Sequence, residues 1–160
     1  MNYNSLLYNL CVCCYRSDTM NPEYTLQDVV GGIIYSGGLV LMAQRSCEAL
    51  DGKWEFPGGK VEFGESHQEA LRRELMEELD VDTNVLGLVS SNKFKVKGKP
   101  YELYCYQVEI IKGIPFAKEH HRVSWVPINK LLELDLAPVD IPIAEEVCNR
   151  GGLVQVGGEE

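Results

Sequence analysis

Three glutamates crowd one short stretch of this chain. Ala70, Leu71, Leu75 and Leu79 recur at helical spacing, which predicts a helix over residues 65–79. Glu74, Glu77 and Glu78 lie on that same helix, three and four residues apart. At 3.6 residues per turn they share a face. Like charges at this spacing destabilise a helix. Either the face is solvated, or a cation offsets the repulsion; hard Mg²⁺ prefers such carboxylate oxygens and completes its shell with water and phosphate. The sequence before the helix favours the second reading. Gly58 and Gly59 let backbone approach a ligand closely, and Gly64 permits a sharp entry into the helix. Arg73 can hold carboxylates by charge-assisted hydrogen bonds, and Lys60 is a point charge suited to phosphate.

The rest of the chain supplies a sheet for that helix. Residues 26–35 and 39–44 read as strands joined by a turn at Ser36-Gly37-Gly38. A polar loop over 45–53 leads to Trp54-Glu55-Phe56-Pro57-Gly58-Gly59-Lys60, where Pro-Gly-Gly marks a turn. Residues 85–96 and 101–111 read as a hairpin across Gly98-Lys99-Pro100. A short strand at 123–126 and helices at 128–134 and 141–150 complete the pattern. Mixed strands and helices in 160 residues point to one α/β sandwich. We expect an N-terminal extension over 1–25, a domain over 26–150 and a tail over 151–160.

Composition narrows the function. Fifteen basic against 24 acidic residues give a net charge of -9, which disfavours stable binding to nucleic-acid backbones. No run reaches the roughly 18 apolar residues that cross a bilayer. The six cysteines include no CxxC pair, so free thiols in a reducing, cytoplasmic setting are the expectation, not a zinc site or a disulfide framework. The run over 6–14 is apolar but follows no basic residue, unlike a secretory signal.

Gly59, Glu65, Arg73, Glu74, Leu75, Glu77, Glu78 and Val81 fit eight of the nine defined positions of the Nudix box, GX5EX7REUXEEXGU. The chain therefore resembles the Nudix hydrolases. The exception is Asp80, where the box has Gly; Asp tolerates the left-handed conformation better than most residues, at a modest cost in stability. The resemblance runs from about residue 26 to 147. Trp54 to Glu65 and Phe116-Ala117-Lys118-Glu119 resemble the MutT branch, and the stretch 119–142 resembles the bacterial CTP pyrophosphohydrolase and 8-oxo-dGTP diphosphatase subgroup.

That resemblance implies an α/β/α sandwich around a mixed sheet. It implies hydrolysis of a nucleoside triphosphate to monophosphate and pyrophosphate, acting on modified or oxidised nucleotides of cytidine or 8-oxo-dGTP type. It implies Mg²⁺, with Mn²⁺ as a substitute, held by Glu74, Glu77, Glu78, Glu119 and the carbonyl of Gly59. Arg73 and Glu65 would orient the cluster. Arg45, Lys60, Phe56 and Asp140 are the candidate substrate contacts. Each carries a plainer reading: Glu119 as a loop acid, Arg45 as a surface cation, Phe56 as core, and Asp140 as the N-cap of the last helix. His120 and His121 read as exposed loop imidazoles, since adjacent side chains diverge. The expected partner is a small nucleotide, on a monomer or homodimer. Rival readings are another nucleoside diphosphate derivative, such as ADP-ribose or a dinucleoside polyphosphate, and a non-catalytic nucleotide-binding module.

Overall fold

The computed structural model describes residues 25–151. The apolar N-terminal run, Cys11, Cys13, Cys14 and the tail after 151 lie outside them. The elements are β1 (Gln27–Ser36), β2 (Leu39–Gln44), β3 (Trp54–Glu55), β4 (Gly58–Lys60), α1 (His67–Leu79), β5 (Asp82–Val96), β6 (Lys99–Lys112), β7 (Arg122–Pro127), a 3₁₀ segment (Ile128–Glu133) and α2 (Ile141–Asn149).

Seven strands form one sheet with the path β3-β2-β1-β6-β5; β4 pairs with β1, and β7 with β2. The β1–β6 pairing is parallel and the others are antiparallel, so the sheet is mixed, as expected. Strand β1 is buried on both faces because its apolar side chains alternate in direction. Val30 and Ile34 join Leu71, Leu75 and Leu79 of α1 in one core. Val29 and Ile33 join Ile143, Ala144 and Val147 of α2 in the other. These two cores make the α/β/α sandwich.

Helix α1 starts two residues later than the periodicity implies, at His67. Ser66 is its N-cap: the Ser66 hydroxyl accepts from the Glu69 amide at 3.2 Å, and the Glu69 carboxylate accepts from the Ser66 amide at 2.8 Å. This reciprocal capping box satisfies two amides left open at the helix start. The helix ends at Asp80, which adopts φ 58° and ψ 40°, the left-handed conformation expected where the box has Gly.

Two sequence expectations need correction. The Pro-Gly-Gly segment is more than a turn, because Gly58–Lys60 forms β4 against Val29, Val30 and Gly31 of β1. The β5–β6 hairpin turns at Lys97 and Gly98, both with positive φ; Lys99 and Pro100 already belong to β6. Two positive-φ residues match the right-handed twist of flanking strands. Cys47, Cys105 and Cys148 are free, and no described helix is long and apolar enough to cross a membrane.

Candidate active site

The acidic face of α1 is directed at β4, not at water. Glu74 and Glu78 are only 7% and 8% exposed, against 51% for the Glu77 side chain. Spacing predicted one shared face; packing splits it into two buried acids and one half-exposed acid.

Glycines create the room for them. The Gly58 amide donates to Glu78 Oε2 at 3.0 Å. Any Cβ on Gly58 would fall 2.0 Å from the Val30 carbonyl oxygen. A Cβ on Gly59 would fall 2.3–2.5 Å from the carboxylate of Glu74. Real Cβ atoms do not approach so closely, so glycine at 58 lets β4 pair tightly with β1 and glycine at 59 makes room for Glu74.

Arg73 ties the cluster together. Its Nε and Nη2 donate to the two oxygens of Glu65 at 2.7 and 2.9 Å, a bidentate pair. Nη1 donates to Glu74 Oε1 at 2.8 Å and lies 3.6 Å from Glu77. Nη2 also donates to the Lys60 carbonyl at 3.0 Å, which clamps β4 to α1. The Arg73 hydrogen bonds hold the Glu65 carboxyl below its usual range. Burial drives Glu74 the other way, and Glu78 further, with Glu55 and Glu74 adding to the burial effect at Glu78. Two buried carboxyls with raised pKa are the electrostatic condition that a bound cation relieves.

The donor chemistry fits a hard divalent cation: carboxylate oxygens beside a glycine backbone. Among the described residues, no three carboxylate, imidazole or thiol side chains converge closely enough to hold an ion by themselves. Backbone, water or phosphate oxygens would complete such a shell, as Mg²⁺ usually requires.

Glu119 lies on the exposed loop between β6 and β7, and its charge is felt at both Glu74 and Glu78. Three hydrogen bonds bring the loop there. The Lys118 amide donates to the Glu78 carbonyl at 3.0 Å, and the His121 amide to the Gln44 carbonyl at 2.9 Å. The Ser46 hydroxyl donates to the Glu119 carbonyl.

The candidate substrate contacts divide. Asp140 is 4% exposed, and burial together with Glu55 pushes its carboxyl well above the ordinary range. It stands at the start of α2, yet its side chain caps nothing there. Its Oδ1 instead accepts from the Phe56 amide at 3.2 Å. The helix-cap reading is therefore corrected: the residue's αR backbone leaves the carboxyl aimed across to β3 and β4. The Phe56 ring packs in the α2-side core, so its backbone is the part that meets Asp140. Arg45 is not a surface cation. It is 5% exposed and paired with Glu55 and with Cys47 Sγ at 3.2 Å. Lys60 is half-buried on β4.

His121 is exposed and meets Asp51 at 2.7 Å, as expected of a loop imidazole. His120 is not. Its side chain is 5% exposed, with Nε2 3.1 Å from Glu55 Oε1. Sequence reasoning missed Glu55 and His120 as a pair because 65 residues separate them. Only the folded loop brings them together.

A buried carboxylate pair under a glycine strand, braced by Arg73, defines a site of the kind that suits a hard divalent cation. The chain belongs to the Nudix family: the NUDIX domain model matches residues 25–147. It is similar to the CTP pyrophosphohydrolase of Escherichia coli strain K12, 40% identical over 119 residues that cover 74% of this chain and 88% of that one. It is 30% identical to the 8-oxo-dGTP diphosphatase of the same strain, over 74% of this chain and 92% of that one. Among solved structures, the solution structure of the E. coli ORF135 protein matches with a TM-score of 0.74 and 33% identity, covering 84% of this chain and 97% of that one. The crystal structure of a MutT NUDIX hydrolase from Burkholderia pseudomallei shares the fold with a TM-score of 0.70 at 23% identity.

Proposed function

We propose that this chain is a divalent-metal-dependent nucleoside triphosphate pyrophosphohydrolase that converts an NTP and water to NMP and pyrophosphate. The observation that carries the reading is the buried Glu74–Glu78 pair beneath Gly58 and Gly59, braced by Arg73. The named activities of the relatives support the substrate class.

Mg²⁺ is the ion the oxygen donors suit best, with Mn²⁺ as a substitute; when bound it neutralises phosphate oxygens and lowers the pKa of water. Glu74, Glu77, Glu78, Glu119 and the Gly59 carbonyl would hold it. Glu78 or Glu119 takes the proton from the attacking water. Arg73 and Glu65 keep Glu74 oriented, and Lys60 attracts the phosphates. Burial raises the Asp140 carboxyl; in its protonated form it would offer a donor and an acceptor to a modified purine such as 8-oxo-dGTP, and in its ionised form an acceptor to a cytosine amine. Arg45, paired with Glu55, and Phe56, whose amide meets Asp140, complete the proposed substrate contacts. The domain is assigned to 26–150, with flanking segments at 1–25 and 151–160. The protein works on a free nucleotide in the cytoplasm, as monomer or homodimer, without stable nucleic-acid binding.

A panel of CTP, dCTP, 8-oxo-dGTP, ADP-ribose and a dinucleoside polyphosphate, assayed with and without Mg²⁺, tests this. Ratios of kcat/KM rank the substrates. Pyrophosphate from a triphosphate, only with metal, is the expected result. Cleavage of ADP-ribose alone, or binding without turnover, would overturn it.

A further inference from the structure

His120 follows the loop acid Glu119 directly, yet its ring is driven inward and only 5% exposed. Nε2 lies 3.1 Å from Glu55 Oε1. The other Glu55 oxygen is taken by the guanidinium of Arg45. A carboxylate in that setting offers acceptors only, so Nε2 carries the proton and donates. Nδ1 is then left as an acceptor, buried and without a hydrogen-bond partner in the described structure. Buried polar atoms are rarely left unpartnered, and those that are call for a reason. The ring's position is therefore fixed by its one bond to Glu55, not by satisfaction of both nitrogens.

Glu55 thus ties three segments together. Arg45 begins the loop after β2, Glu55 ends β3, and His120 sits in the loop before β7. The backbone on either side of His120 is also fastened: Lys118 N–H to the Glu78 carbonyl, His121 N–H to the Gln44 carbonyl, and the Glu119 carbonyl to Ser46. Between these fastenings the Glu119 side chain is exposed, beside α1. Residues 118–121 form a bend, in which the ring held inward at 120 adjoins an exposed side chain at 119.

We propose that His120 is a positioning residue of the hydrolytic site: by holding Glu55 through Nε2 it locks the loop that presents Glu119 to the acidic face of α1. This rests on reading Glu119 as a metal-facing carboxylate. The lock requires a donor at the Nε2 position and nothing at Nδ1. Two variants separate these edges, because a Gln side-chain amide falls near Nε2 of a histidine and an Asn amide near Nδ1.

The full-length protein carries the test in three readouts. In the metal-free state, amide hydrogen exchange at Lys118 and His121 reports the lock directly. Mn²⁺ binding, followed by electron paramagnetic resonance, reports the site's affinity for a divalent ion. Turnover of CTP and 8-oxo-dGTP reports catalysis. We expect His120→Ala and His120→Asn to speed exchange at both amides about tenfold or more. Both should weaken Mn²⁺ binding and lower kcat by about 10–100-fold, as loss of a group behind a ligand does, with nucleotide KM within about twofold. His120→Gln should stay near wild type in all three. If the alanine variant does not fold, the Gln and Asn pair decides alone.

An Asn variant that works while the Gln variant fails would assign the role to Nδ1 and overturn the proposal. So would unchanged amide exchange, or three variants that keep wild-type kcat and Mn²⁺ affinity. If the wild type hydrolyses neither nucleotide, the functional reading fails, while exchange and Mn²⁺ binding still judge the lock.

Discussion

Glu78 concentrates the chemistry at the scale of one residue. It is buried, receives the Gly58 amide, and has its carboxyl pushed up by burial and by three neighbouring acids, Glu55, Glu74 and Glu119. Glu78→Gln keeps the shape and the acceptor for Gly58 but removes the charge. We expect it to fold normally, by circular dichroism, and to lose about 10²–10⁴-fold in kcat, the range for removing an acid–base group. Turnover near wild type would dismiss the assignment. Asp140 makes a different prediction. Asp140→Asn preserves the acceptor for Phe56 and fixes a neutral amide at the base pocket, so the ratio of kcat/KM for 8-oxo-dGTP over CTP should move more than the maximal rate. An unchanged ratio would confine Asp140 to structure. The glutamates and Asp140 were legible in the sequence because a fixed motif and its flanks carry them. Their unequal burial was not legible, because spacing along a helix sets which way a side chain points and says nothing about what lies opposite.

Elements explain that inequality. Strand β4 fits between β1 and α1 because Gly58 lacks a Cβ against Val30 and Gly59 lacks one against Glu74. Gly59→Ala would press a methyl into the Glu74 carboxylate, so we expect a loss of activity together with a destabilisation of about 1–3 kcal/mol, as for overpacking. Denaturant unfolding measures the second effect; full activity would show that Glu74 relaxes at no cost. At the helix ends, Ser66→Ala should cost about 1 kcal/mol by removing the capping box. Asp80→Gly should gain about 0.5–1 kcal/mol, because Asp holds a left-handed backbone that Gly adopts freely. The helix itself was plain in the sequence. Strand β4 was not, since Pro-Gly-Gly reads locally as a turn and only pairing with β1 makes it a strand.

The whole molecule carries an electrostatic debt of buried acid. Glu74, Glu78 and Asp140 all have folded pKa values raised by burial. A raised carboxyl binds its proton in the folded state at pH values where the unfolded chain has released it. That stability is complete below the ordinary carboxylate value of about 4 and is lost as pH rises through the raised values. Glu65, held low by Arg73, acts oppositely; its contribution is present above about 4 and is lost only at more acidic pH. We therefore expect the Tm of the metal-free protein to fall as pH rises above the ordinary carboxylate range of about 4. Mg²⁺ should restore it, with a gain that grows with pH because ligands must be ionised to bind. At about 100 times Kd the gain is about 2.7 kcal/mol. A metal-free Tm that climbs with that rise in pH, or ignores Mg²⁺, would contradict the account.

What the chain determined alone was local: the periodicity of α1, the spacing of its glutamates, the alternation of β1, and the left-handed exit at Asp80. These follow from backbone geometry over a few residues. The tertiary structure decided which acids are buried, that Asp140 turns to Phe56 instead of capping α2, and that Arg45 and His120 meet on Glu55. Those facts depend on contacts between segments 10 to 84 residues apart, and no pattern within one helix or strand encodes such a partner.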